Sequence, residues 1–163
     1  MPDDSVKEKK NNKPIDILLV EDNEADVKIT LRAFEKASLK HKVHVARDGQ
    51  EALDFIRNQG NFQDKDKYPK PDLILLDIKM PKVDGFGVLK ELKSDLSYSH
   101  IPIIMLTSSK DEEDILRSYK GGAASFIPKP VKYEEFLEVV EIINSYWNII
   151  SKLPNADNWK KES

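Results

Sequence analysis

Leu73-Ile74-Leu75-Leu76-Asp77-Ile78-Lys79-Met80-Pro81 is the stretch that decides the fold. Four apolar residues run consecutively into an aspartate. A strand with one wet face alternates apolar and polar residues, whereas one that is apolar at successive positions is covered on both faces, as in a parallel sheet flanked by helices. Such a strand carries the Asp77 carboxylate to its C-terminal end, the edge where open α/β sheets place chemistry. Pro81 and then Asp84-Gly85 follow.

The flanking sequence repeats the pattern. Ile15 to Val20 is a short apolar run followed at once by Glu21-Asp22-Asn23. It predicts a strand and then a helix, in which Val27, Leu31 and Phe34 share one face at i, i+4 and i+7. Val43 to Ala46 predicts a second strand, and Asp48-Gly49 turns the chain into a helix with Ala52, Phe55 and Ile56 on one side. Asn58 to Pro71 reads as a polar connection. The third strand, Pro71 to Leu76, precedes a helix marked by Leu89, Leu92 and Leu96. Ile101 to Leu106 is a fourth strand ended by Thr107-Ser108-Ser109. Asp111-Glu112-Glu113-Asp114 open the next helix, where acidic side chains suit the exposed amides. Gly121-Gly122 stops that helix. Ala124 to Ile127 is a fifth strand before Pro128-Lys129-Pro130, and a final helix runs from about Tyr133 to Lys152. Strand and helix alternate five times, which predicts a doubly wound α/β domain: a five-stranded parallel sheet with helices on both faces.

A chain of 163 residues fits one domain with short tails. Residues 1–13 are polar and charge-mixed and are expected to form a disordered tail. Residues 14–153 are expected to be the domain, and 154–163 a C-terminal tail. The balance of 26 Lys+Arg against 29 Asp+Glu offers no bulk attraction for nucleic acid. Cysteine is absent, which excludes disulfides and thiolate chemistry and fits a reducing compartment. No apolar run is long enough to span a membrane, and the first residues lack the apolar stretch of a signal peptide. A cytoplasmic protein is the expectation.

Parallel strands present their C-terminal ends on one edge. Strand one ends in Glu21 and Asp22, strand three in Asp77, strand four in Thr107 and strand five in Lys129. If strands one and three are neighbours, at about 4.8 Å, the three carboxylates crowd together. Like charges so close need a cation among them or must take up protons. Mg²⁺ suits such a site, since it accepts few carboxylates, keeps waters and welcomes phosphate oxygens. A carboxylate beside it can attack phosphorus. Lys129 would neutralise the phosphoryl oxygens, and Thr107 would hydrogen-bond one of them. Each residue alone has a plainer reading: Asp77 as a helix cap, Thr107 as a turn residue, Lys129 as a solvated amine, Glu21-Asp22 as favouring the next helix. Their convergence on one edge is what points to phosphoryl transfer.

Val20-Glu21-Asp22-Asn23, Asp48-Gly49-Gln50-Glu51-Ala52-Leu53, Leu76-Asp77-Ile78-Lys79-Met80-Pro81 with Asp84-Gly85, Leu106-Thr107-Ser108 and Phe126-Ile127-Pro128-Lys129-Pro130-Val131 resemble, in order, the receiver domain of two-component response regulators. The resemblance covers Ile15 to about Tyr146. It implies a flavodoxin-like sheet of order 2-1-3-4-5. It implies Asp77 as phosphoacceptor from a sensor histidine kinase, with Mg²⁺ held by Glu21, Asp22, Asp77 and the backbone carbonyl of Lys79. It further implies Thr107 as switch hydroxyl, Phe126 as switch aromatic and Lys129 as phosphate-pairing lysine, with a cis Lys129-Pro130 bond. Glu21 stands where the family more often has Asp, and its longer arm would reach metal through water. Lys79 sets a cation beside the acyl phosphate. The end Tyr146-Trp147-Asn148-Ile149-Ile150-Ser151-Lys152-Leu153-Pro154 resembles the stand-alone regulators paired with phytochrome-type histidine kinases.

On this reading the protein is not an enzyme toward foreign substrates and signals by binding a protein or passing on the phosphoryl group. It has no DNA-binding domain and no nucleic-acid or membrane partner. Phe136, Val140, Ile143 and Trp147 form one apolar stripe of the last helix, and Val139, Ile142, Tyr146, Ile149 and Leu153 a second, offset by about 100°. One stripe suffices to pack on a sheet, so Tyr146, Trp147, Ile149 and Ile150 are candidates for a homodimer or partner interface; folding back over the N-terminal segment is the alternative. Two other functions compete. A Mg²⁺-dependent phosphohydrolase with an aspartyl nucleophile commonly has a second Asp two residues on, where this chain has Lys79. A receiver-like interaction module without phosphorylation would usually lose an acidic residue or the Lys. His41, His44 and His100 fit no phosphodonor motif and are assigned no role.

Overall fold

The computed structural model describes residues 14–37, 41–107, 112–129 and 132–151. Strands β1 (Asp16–Val20), β2 (Lys42–Ala46), β3 (Leu73–Asp77), β4 (Ile103–Thr107) and β5 (Ser125–Pro128) form one sheet in the order β2-β1-β3-β4-β5. Every neighbouring pair is parallel. Helices α1 (Glu24–Lys36), α2 (Gly49–Arg57), α3 (Gly85–Lys93) and α4 (Glu112–Lys120) connect the strands, and α5 (Tyr133–Ser151) follows β5.

The continuous apolar runs divide between two cores because successive side chains leave a strand on opposite faces. Leu18, Val20, Ile74, Leu76, Ile103 and Met105 face α2 and α3. Ile17, Leu19, Leu73, Leu75 and Leu106 face α1 and α5, where Phe136, Val140 and Ile143 complete the packing. All five residues of β3 are buried. A strand covered on both sides has no use for alternation.

Three helices start on side-chain caps at the C-terminal edge of the sheet. Asn23 accepts from the Asp26 amide at 3.0 Å, Asp48 from Glu51 at 2.7 Å and Asp84 from Gly87 at 2.9 Å. Each satisfies an amide that the first helical turn leaves unpaired, a contribution of about 1 kcal/mol. Two glycines let backbones meet there. A Cβ on Gly85 would lie 2.3 Å from the carbonyl oxygen of Asp77, and one on Gly49 would lie 1.9 Å from that of Val83.

The structure departs from the sequence expectations in three places. Leu96 is 93% exposed, because α3 ends at Lys93 and Ser94 closes it in a helical conformation. The chain then turns back on itself, and the Lys93 ammonium donates to the carbonyls of Ser99 (2.9 Å) and Ile101 (2.8 Å). The connection 58–71 is not merely polar. A 3₁₀ turn (Gly60–Phe62) puts Phe62 against Phe55 (5.4 Å) and Tyr68 (5.0 Å). His41 and His44 also carry structure. His41 is 8% exposed; its Nδ1 accepts from the Ile15 amide at 3.0 Å and its Nε2 meets Asn144 Oδ1 at 2.5 Å. His44 pairs with Asp16 at 3.1 Å and tilts against Phe55.

Along α5 the first stripe is buried through Ile143, while Ile142 is 67% and Tyr146 50% exposed. The side chains of Trp147, Ile149 and Ile150 lie outside the described residues, as do Pro130 with its expected cis bond and the two tails. Among the described residues no helix is long and apolar enough to cross a membrane.

Candidate functional site

The site is a consequence of register. Val20 stands opposite Leu76, so the next residues, Glu21 and Asp77, emerge side by side from β1 and β3. Asp77 pairs in turn with Leu106, and Thr107 with Pro128. The Glu21 amide continues the ladder to Ala46 O (2.9 Å) and the Ile78 amide to Leu106 O (3.0 Å), which holds both strand ends in the sheet. The Lys129 amide donates to Thr107 O at 2.5 Å. Backbone alone thus brings one residue from each of four strands to a common edge.

The side chains then meet. One carboxylate oxygen each from Glu21, Asp22 and Asp77 lies within 4.8 Å of the others. Glu21, Asp77 and Thr107 are buried, and Asp22 is exposed at the mouth. The Lys129 ammonium contacts Glu21 Oε1, Asp26 Oδ2 at 3.1 Å and Asp77 Oδ2 at 3.4 Å. The other Glu21 oxygen accepts from the Asn23 amide at 3.3 Å. Lys79 joins these residues in lining an open cleft of about 330 Å³. Phe126 is half-buried, with Tyr119 edge-on to its ring at 5.8 Å.

Three carboxylates contact one half-buried ammonium and a fourth, Asp22, stands at the mouth, so negative charge is in excess. Burial, together with the hydrogen bond shared with Asp77, pushes the Glu21 carboxyl up to about 7, against the opposing pull of Lys129. Burial acts to lower the Lys129 pKa, and the neighbouring Glu21, Asp77 and Asp26 outweigh it, so the ammonium is held charged above its usual value. The donor chemistry fits a hard divalent cation: all-oxygen ligands, an open side for water and excess charge to offset.

The structure therefore gathers Glu21, Asp22, Asp77, Thr107 and Lys129 on one edge and sets Lys79 at the rim. Asp26 is the member that sequence reasoning missed. It sits in the first turn of α1, where an acidic residue already satisfies the helix terminus and so draws no notice. Its place three residues after the N-cap Asn23, at the helix end that follows β1, was the available signal, and it lines the cleft.

A doubly wound sheet with this acidic edge fits a receiver, and the chain belongs to the response regulator receiver domain family, whose model matches residues 17–141. Receivers of this family bind a divalent metal at the acidic pocket and pair with histidine kinases. Response regulator Rcp1 of Synechocystis sp. is 34% identical over 146 residues, 90% of this chain and 97% of its own length. The probable methanogenesis regulatory protein FilR2 of Methanothrix harundinacea is 37% identical over 135 residues, 82% of this chain and 84% of its own. Among solved structures, the phosphorylated cyanobacterial phytochrome response regulator RcpA is similar with a TM-score of 0.75 and 36% identity, covering 86% of this chain and 99% of RcpA. Rcp1 in its Mn²⁺-bound form has a TM-score of 0.72 and 34% identity, covering 82% of this chain and 94% of Rcp1.

Proposed function

We propose that Asp77 accepts a phosphoryl group from a phytochrome-type sensor histidine kinase, and that the protein acts as a stand-alone regulator whose folded unit spans residues 14–153. The observation that carries this reading is the meeting of Glu21, Asp22, Asp77 and Lys129 at the ends of three strands. One Asp77 oxygen attacks phosphorus, the bond from phosphorus to the donor nitrogen breaks, and its electron pair stays with the histidine ring, which takes a proton. Glu21, Asp22, Asp77 and the Lys79 carbonyl would hold Mg²⁺, which supplies charge neutralisation at the phosphoryl oxygens. Lys129 adds a second positive charge from the β5 side. Thr107 then hydrogen-bonds a phosphoryl oxygen, and Phe126, half-buried and free of full enclosure, changes rotamer with it. Output passes by protein contact or onward phosphotransfer, and the end of α5, where Ile142 and Tyr146 are exposed, is the face for a partner or a second copy, with Trp147, Ile149 and Ile150 as further candidates from the sequence. Lys79 at the rim, where an aspartyl phosphohydrolase needs a second carboxylate, disfavours turnover of foreign phosphoesters.

Incubation with Mg²⁺ and acetyl phosphate, followed by intact mass, tests this. A mass gain of one phosphoryl group, abolished in Asp77→Asn and by metal chelation, is expected. No gain, or a gain that survives Asp77→Asn, overturns the reading.

A further inference from the structure

An ammonium has three N–H donors, and those of Lys129 face three carboxylates: Glu21, Asp26 and Asp77. Two of these, Glu21 and Asp77, belong with Asp22 to the group that can hold a metal ion. A divalent cation there draws on the same negative charge and repels the ammonium. Asp26 stands outside that group. Its backbone is tied at both ends of the first turn of α1: its amide donates to Asn23 Oδ1 at 3.0 Å, and its carbonyl accepts from the Thr30 hydroxyl at 2.9 Å. Beside Lys129, Leu106, Phe136 and their neighbours leave a void of only about 10 Å³, roughly the space of one water. That void offers the ammonium little room.

We propose that Asp26 is the positioning residue of Lys129. It keeps the ammonium beside Asp77 when Glu21 and Asp77 turn to the metal, so that one N–H is aimed at the incoming phosphoryl oxygen. The inference rests on Asp77 as phosphoacceptor and adds a fourth carboxylate with a separate role. Asp26 binds neither metal nor phosphate and acts only through Lys129.

The test is a double-mutant cycle on the full chain with saturating Mg²⁺ and acetyl phosphate. Asp26→Ala is expected to slow phosphorylation of Asp77 about tenfold, the effect of one charge-assisted hydrogen bond. Asp26→Asn should lose less, and Asp26→Glu should recover much of the rate. In a Lys129→Ala background, Asp26→Ala should change nothing further. Acylation of Lys129 by a small amine-reactive ester, in Mg²⁺ without phosphodonor, should run about tenfold faster in Asp26→Ala than in the wild type, because the held amine is less free to react. If Asp26→Ala is phosphorylated at the wild-type rate, or loses as much rate without Lys129 as with it, the positioning role is overturned while the phosphoacceptor reading stands. If the wild type gains no phosphoryl group, that reading falls, and equal acylation rates would overturn the positioning role on their own.

Discussion

Replacing Glu21 by Gln should stabilise the metal-free protein, by an amount that grows with pH. Glu21 is 1% exposed and its carboxyl is raised from 4.5 to about 7, by burial first and by its contact with Asp77 second. A folded-state pKa above the unfolded value means that the native state binds the proton more tightly. The stability contributed by protonated Glu21 is therefore fully present below pH 4.5 and is lost as the pH climbs through about 7. At about 1.4 kcal/mol per pH unit, the interval amounts to on the order of 3 kcal/mol. Gln is neutral throughout and avoids that cost. Urea denaturation in a metal chelator should show wild type and Glu21→Gln nearly equal near the lower limit and separating steadily, with the variant ahead by about 3 kcal/mol near pH 8. Added Mg²⁺ should then close the gap, since it stabilises the ionised wild type by mass action and binds the variant less well. A difference that stays constant across the pH range, or a wild type more stable than the variant at high pH without metal, would refute the reasoning.

Two further outcomes follow from the same geometry. Gly85→Ala would place a methyl group 2.3 Å from the Asp77 carbonyl oxygen, so either strand or helix must shift; a loss of about 2–3 kcal/mol in urea denaturation is expected, with slowed phosphorylation. Burial lowers the His41 pKa below 6.5, so its neutral form, accepting from Ile15 and donating to Asn144, stabilises the fold above that pH, and the contribution fades as the pH falls through the folded-state value; His41→Gln should lack that acid-side slope, and ¹⁵N NMR should find the Nε2–H tautomer in the wild type.

The sheet was legible because strands buried on both faces need apolar residues at every position, and Leu73 to Leu76 or Ile17 to Val20 allow little else. The site was legible for the same reason: once the strands are parallel, their final residues share an edge, and Glu21, Asp77, Thr107 and Lys129 fall there by counting. What escaped depended on side-chain contacts between elements or on where a helix stops. Asp26 resembles any acidic residue of a first helical turn until Lys129, 103 positions away, is seen to bind it. Phe62 and Tyr68 sit among polar and charged neighbours, and only the fold-back of 58–71 turns them toward Phe55. Leu96 fits the heptad spacing of Leu89 and Leu92, but the helix stops before reaching it. His41 finds its two partners only when β1 and α5 lie beside it.

The loop after Asp77 is moulded against two other backbones, at Gly85 against Asp77 and at Val83 against Gly49. Lys82, at a left-handed φ of 66°, reaches across to Asp48 at 3.5 Å. A displacement of the main chain at Asp77 consequently has two exits: into α3 through Gly85 and into α2 through Val83. The amides of Gly49 and Gly85 are thus natural listening posts, one on each route, from which the arrival of a phosphoryl group can be timed without a label on the site itself.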